Sequence, residues 1–185
     1  MIAMLHGLRG RIPALGGKEP LGREAEMSIF PTKILLATDG SEEAELARTT
    51  AVDEANSTNS ELHVITVGPW SPDPAYAIGE ASFRRQTYEE ASEEIGKEAR
   101  EILDDQVRKI KEEGGSVQEI HLRRGRKDQE IVRLAEEIGA GLIVIGSRGR
   151  GGVRRALMGS VSDSVVRHAH CPVLVVRKQK QQAAL

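Results

Sequence analysis

The sequence predicts an α/β protein: a single open five-stranded parallel sheet with helices on both faces. Short apolar runs recur at KILLAT (33–38), LHVITV (62–67), LIVI (142–145) and VLVV (173–176), with a more polar run at Val117–Leu122. Stretches of helical periodicity lie between them. Strands that alternate with helices run parallel through right-handed crossovers, which stacks helices on both sides of one sheet.

Each element has its own justification. Residues 1–29 are expected to form a flexible leader, because Gly7, Gly10, Pro13, Gly16, Gly17, Pro20 and Gly22 interrupt any regular element. The leader lacks the continuous apolar stretch of a secretory signal. It is basic and free of acids until Glu19, as a transit peptide would be, but poor in serine and broken by glycines. Met27 stands directly before the first regular pattern and is a candidate for the true start of translation.

Lys33–Thr38 is the first strand, ended by Asp39-Gly40-Ser41. The helix after it carries Ala44, Ala47, Ala51 and Ala55 on one side, small residues that let it lie close to a sheet. Leu62–Val67 is rich in branched residues, as strands are. Gly68-Pro69-Trp70-Ser71-Pro72-Asp73-Pro74 then forbids regular structure. Trp70, Tyr76 and Phe83 around it could cover a ligand or simply pack the loop down.

A long charged helix is expected from about Ser82 to Glu113, with Ile95, Ala99, Ile102, Leu103 and Ile110 at helical spacing and Gly114-Gly115 as its stop. Val117–Leu122 is polar enough for a sheet edge. Ile131, Leu134, Ala135 and Ile138 mark the next helix. Leu142–Ile145 reads as a strand covered on both faces. Val161, Val165, Val166 and Ala169 mark the last helix and Val173–Val176 the last strand. The domain is set at 30–178, with a flexible tail at 179–185.

Bulk properties narrow the function. A chain of 185 residues makes one domain, and a formal net charge of −2 supplies no global field for nucleic acid or acidic membrane. The one cysteine, Cys171, rules out an intramolecular disulfide and suits a reducing cytoplasm. No apolar stretch of about 18 residues is present to span a bilayer.

The chemistry concentrates in residues 146–160, GSRGRGGVRRALMGS. Its glycines allow close backbone approach, and Arg148, Arg150, Arg154 and Arg155 stand without an acidic neighbour. Ser160 is expected to cap the last helix, with Asp163 completing a capping box. A helix start behind Gly159-Ser160 would offer free N–H groups and partial positive charge to a phosphate. The segment is neither a Walker loop nor a dinucleotide fingerprint, since no GxxxxGK[ST] occurs and the first strand ends in Asp39-Gly40-Ser41. In an open parallel sheet, ligands sit beyond the strand ends at the switch point, so Asp39 and Gly146 are candidates for one crevice. Read without that topology, Asp39-Gly40 is an ordinary turn pair and the glycine segment a solvated loop. His168, His170 and Cys171 could ligate a metal, but their crowding across a helix-to-strand turn without a partner motif suits a structural role better.

Gly146-x-x-Gly149, nine residues, then Gly159-Ser160 resembles the G-2x-G-9x-G-[ST] motif of the universal stress protein family. Lys33–Ser41 and His170–Val176 are similar to further family stretches, and the likeness spans 30–178. The resemblance implies a Rossmann-like fold of the adenine nucleotide α-hydrolase type and, in the ATP-binding branch, a ligand-binding set. In that set Asp39 meets the ribose and adenine side, and the Val67 backbone holds adenine. Gly146, Gly149, Gly159, Ser160 and the Val161 amide line the phosphate path, and Ala37 and Ser147 belong to the same ligand-binding set. Arg148 and Arg155 are added on physical grounds, because a guanidinium grips phosphate oxygens in pairs. One departure is Gly125-Arg126-Lys127, where relatives often carry a proline near Lys127, so the geometry of that turn is open.

The expected function is an ATP-binding stress-response switch or partner-binding module in the cytoplasm. ATP is the expected ligand, AMP its alternative, with Mg2+ accompanying the triphosphate. A homodimer through the last strand and a downstream protein are the expected partners; nucleic acid and membrane are not. Slow ATP hydrolysis or self-phosphorylation, with Ser160 or a neighbouring serine as acceptor, is the enzymatic alternative. A dimer that binds no nucleotide, as in the family's other branch, is the second.

Overall fold

A computed structural model of the chain describes residues 32–68, 81–151 and 158–178. The leader, Trp70, Tyr76, the side chain of Phe83, Arg154, Arg155 and the tail lie outside what it describes. The elements run β1 (Lys33–Ala37), α1 (Glu42–Thr58), β2 (Glu61–Gly68), α2 (Ala81–Glu112), β3 (Glu119–Arg124), α3 (Lys127–Ile138), β4 (Leu142–Gly146), α4 (Ser160–His168) and β5 (Val173–Val176). The strands form one parallel sheet in the order β3-β2-β1-β4-β5. The five-stranded parallel α/β fold read from the sequence is the fold found.

Alternation along β1 divides the core in two. Ile34 and Leu36 pack with Ala47, Ala51, Val52 and Ala55 of α1 and with Leu103 and Ile110 of α2. Leu35 and Ala37 point the other way, to Ile131, Leu134 and Ala135 of α3 and Val165 of α4. The alanine face of α1 is buried, and no side chain at those positions is long enough to hold the helix off the sheet.

Capping follows local chemistry. Ser41 caps α1, its Oγ accepting from the Ala44 N–H at 3.3 Å, and Glu42, Glu43 and Glu45 complement the positive end of the helix dipole. Asn59 ends α1 with φ 52° and Gly139 ends α3 with φ 64°, the left-handed geometry that closes a helix.

Two sequence expectations move. β3 starts at Glu119 rather than Val117 and ends at Arg124, because pairing with His63–Gly68 of β2 sets its span rather than its own apolar residues. Gly159, not Ser160, is the N-cap of α4: its backbone is extended (φ −77°, ψ 158°), no side chain caps it, and Ser160 is already helical. Asp163 completes no capping box; its carboxylate accepts from Arg167 Nε at 2.9 Å, one turn along the helix. Among the described residues, no helix is long and apolar enough to cross a membrane.

Candidate functional site

The sheet order creates the switch point. The chain winds from β1 to β2 and β3 on one side, then returns to place β4 and β5 on the other. The loops leaving β1 and β4 therefore part, and the gap between them opens into a cleft of about 440 Å3. This lies within the ~300–1,000 Å3 usual for small-ligand sites.

The cleft is lined by groups of two kinds. Apolar side chains come from Ala37, Ile65, Val67, Ile131 and Ile145. Cations come from Arg148, Arg150 and Lys127, and the opening turn of α4 lines it at Gly159, Ser160 and Val161. The first backbone N–H groups of a helix have no acceptor within it, so the start of α4 presents donors and the positive end of its dipole to the cleft. A ligand with a flat apolar part and an anionic tail matches both kinds of lining.

Asp39 also lines the cleft. Its Oδ1 accepts from the Ser41 N–H at 3.1 Å and its Oδ2 from the Arg150 N–H at 3.0 Å. Ser41 Oγ donates to the Arg148 carbonyl at 3.3 Å, so the loop after β4 is tied twice to the loop after β1. An ionised carboxylate only accepts, which suits hydroxyl groups and repels phosphate.

The glycines of the segment serve different ends. At Gly149 a Cβ would lie 2.3 Å from Asp39 Oδ2, so any other residue would push that carboxylate out of its present position. At Gly146 a Cβ would meet the Glu43 carbonyl carbon at 2.8 Å and its oxygen at 2.9 Å; this glycine lets α1 begin against the end of β4. At Gly159 a Cβ would make only ordinary contacts, the nearest to Ser147 O at 3.4 Å, so nothing in the fold itself demands a glycine there.

Of the residues singled out from the sequence, Ala37, Asp39, Val67, Gly146, Arg148, Gly149, Gly159, Ser160 and Val161 line this one cleft. Ser147 does not. It is buried, its Oγ donates to Glu43, its N–H donates to Val176 O at 2.7 Å, and its carbonyl accepts from the Gly159 N–H at 2.7 Å. Its work is to hold the two ends of the segment together. Arg155 falls outside the described residues. Arg148 also lies 3.9 Å from Glu43, so its charge is shared with the start of α1.

Sequence reasoning missed the apolar wall of Ile65, Ile131 and Ile145, and the cation Lys127. Lys127 is the first residue of α3, just after Gly125 makes the preceding turn with φ 148°. The signal available was topological: the loop after β3 also leaves a strand's carboxyl end. Proline also suits a first helical position, so lysine here leaves the turn to Gly125 and adds a charge. His168, His170 and Cys171 do not gather their donor atoms; among the described residues the group that does is His63, Glu119 and His121.

Comparison with known proteins bears on the family and the fold. The sequence model of the universal stress protein family matches residues 31–177. Universal stress protein MJ0531 of Methanocaldococcus jannaschii is 36% identical over 153 residues, which cover 81% of this chain and 84% of that protein. A universal stress protein solved in complex with cAMP superposes with a TM-score of 0.56 at 25% identity, covering 80% of this chain and 98% of its own. One from Archaeoglobus fulgidus in complex with dAMP gives 0.55 at 26% identity, covering 78% and 97%.

Proposed function

The chain belongs to the universal stress protein family, and we propose that it binds ATP in the β1–β4 cleft and works as a nucleotide-dependent stress-response switch or partner-binding module. The observation that carries the reading is the meeting, in one cleft, of an apolar wall, a carboxylate fit for hydroxyls and a helix start flanked by cations. Adenine takes the apolar side against Ile131 and Val67, with the Val67 backbone as its polar contact. The ribose hydroxyls donate to Asp39. The phosphates run past Gly149 toward the amides of Ser160 and Val161, with Arg148, Arg150 and Lys127 balancing their charge.

Two relatives of known structure hold adenine monophosphates, cAMP and dAMP, which supports an adenine nucleotide. The cations lining the cleft favour the triphosphate over AMP, with the phosphates drawing Arg150 from its ion pair with Glu98 and Arg148 from Glu43. A bound triphosphate brings Mg2+, held through its own oxygens and water.

The switch follows from Asp39. Ribose hydroxyls and the Arg150 N–H draw on the same carboxylate, so nucleotide competes with the bond that ties the loop after β4 to β1. The surface around Arg148–Gly151 then differs between the bound and free protein, and a partner can read that difference. The cytoplasm, where ATP is abundant, is the fitting compartment. A homodimer forms through the outer edge of β5.

The test is to denature purified protein and identify released nucleotide by mass, then titrate ATP calorimetrically into the emptied protein. ATP is expected near one equivalent, and Gly159→Val is expected to abolish binding while the far-UV circular dichroism stays unchanged. Unchanged ATP affinity in Gly159→Val would overturn the site. Steady turnover near ~1–10³ s⁻¹ would make the protein an enzyme instead.

A further inference from the structure

Two imidazoles that the cleft does not use face each other across β2 and β3. His63 on β2 is 4% exposed, and His121 stands on β3. The register pairs His63 with Glu119 and Ile65 with His121, which puts Glu61, His63, Glu119 and His121 on one face of the sheet. They lie at the starts of their strands, at the opposite rim from the cleft, which opens at the strand ends.

The donor atoms converge. His63 Nδ1 is 3.2 Å from His121 Nε2, and His121 Nε2 is 3.8 Å from Glu119 Oε2. One ligand atom from each of His63, Glu119 and His121 falls within 4.8 Å of the others. Donors each held at ~2.0–2.1 Å from a tetrahedral zinc ion stand ~3.3–3.4 Å apart, close to the spacing of the two imidazole nitrogens. A hydrogen bond between the rings also fits that spacing, but it leaves the other nitrogen of His63 unexplained. That Nε2 is buried with no hydrogen-bond partner, 3.7 Å from Glu61 Oε2.

We infer that His63 Nδ1, His121 Nε2 and Glu119 Oε2 form a binding site for Zn2+ or a similar late first-row divalent ion, with water in the fourth position. A metal on Nδ1 fixes the proton on Nε2 of His63, and Glu61 is placed to accept it as the carboxylate behind the ligand. Two imidazoles with one carboxylate select such an ion over Mg2+ or Ca2+, which prefer all-oxygen sites. The ligands come from β2 and the edge strand β3, so the ion clamps that edge to the sheet.

The experiment uses the full chain, stripped with a chelator and titrated with Zn2+ alone, without added nucleotide. One equivalent is expected to bind and raise the melting temperature, and Co2+ in its place is expected to give the visible absorption of a four-coordinate ion. His121→Asn is expected to weaken Zn2+ binding at least tenfold. Glu119→Gln, at an exposed side chain that folding does not need, is expected to weaken it as well, whereas a His168→Asn, His170→Asn double variant keeps full affinity. No uptake by the wild-type chain would overturn the site. So would wild-type affinity in His121→Asn and Glu119→Gln, or loss of binding in the double variant alone.

Discussion

At the scale of single residues, the glycine segment separates into parts that one motif had joined. Gly146 meets the backbone of Glu43, which cannot swing aside, so Gly146→Ala is expected to cost about 1–3 kcal/mol of stability. Gly159→Ala is expected to cost less, about 0.5–1 kcal/mol, because its new methyl finds ordinary contacts and the loss is only that of replacing glycine by alanine at the N-cap of α4. Urea unfolding of both variants checks the contrast; equal losses would mean that Gly146 is not a packing position. The spacing of these glycines was visible in the sequence, but their division of labour was not. Which glycine faces α1 and which faces Asp39 depends on how two loops cross, and Ser147 was misplaced for the same reason. On a tight turn, neighbouring residues point opposite ways, and no periodicity says which points inward.

At the scale of elements, α1 and α2 are joined by a charged seam as well as by apolar packing. Arg48 of α1 is buried and donates to Glu45 and, through Nη2, to Glu113 Oε1 at 2.7 Å. Lys109 Nζ reaches Glu45 at 3.0 Å, and Gln106 Nε2 donates to it at 2.6 Å. Burial pushes the Glu45 carboxyl upward, but hydrogen bonds from Lys109, Arg48 and Gln106 outweigh it and hold the group below the ordinary carboxylate range. A carboxyl lowered by folding stabilises the protein above its unfolded-state pKa, and that contribution fades as pH falls through the folded value. Melting temperature is therefore expected to drop on acidification below the usual carboxylate range, and to drop less steeply in Glu45→Gln. Arg48→Ala is expected to cost about 1–3 kcal/mol, as charged hydrogen bonds do, with Lys109 still neutralising Glu45. The helices themselves were legible from their apolar spacing, but the seam was not. Glu45 and Lys109 are far apart in the chain, and either alone reads as a solvated charge. β3 shows the same limit, since its ends are set by a neighbour's backbone.

At the scale of the whole molecule, the sheet has two edges, and they differ in kind. β3 is polar, whereas β5 is apolar and only half buried. Pro172 and Val176 carbonyls accept from Ile143 of β4 and from Ser147 just after it, so the alternate residues Val173 and Val175 turn their backbone groups outward. If copies pair through this edge, Val175→Pro removes an outward N–H without touching the β4 ladder. Light scattering is expected to show a dimer for the parent and a monomer for Val175→Pro; a monomeric parent at micromolar concentration sinks the dimer. The fold class was readable because buried parallel strands are short, uninterrupted apolar runs. The apolar wall of the cleft was hidden by that same property, since Ile65 and Ile145 look alike whether they face the core or a ligand.

The strand order has a consequence for how the protein is made. β1 lies at the centre of the sheet, yet one of its two neighbours, β4, is synthesised only after α1, β2, α2, β3 and α3. A growing chain that has not reached Leu142 holds Ile34–Ala37 with one side open, an adhesive apolar ribbon exposed to every other nascent chain nearby. The ribosome must therefore deliver most of the polypeptide before its middle strand is sheltered, and chains halted in α3 are natural clients for chaperones.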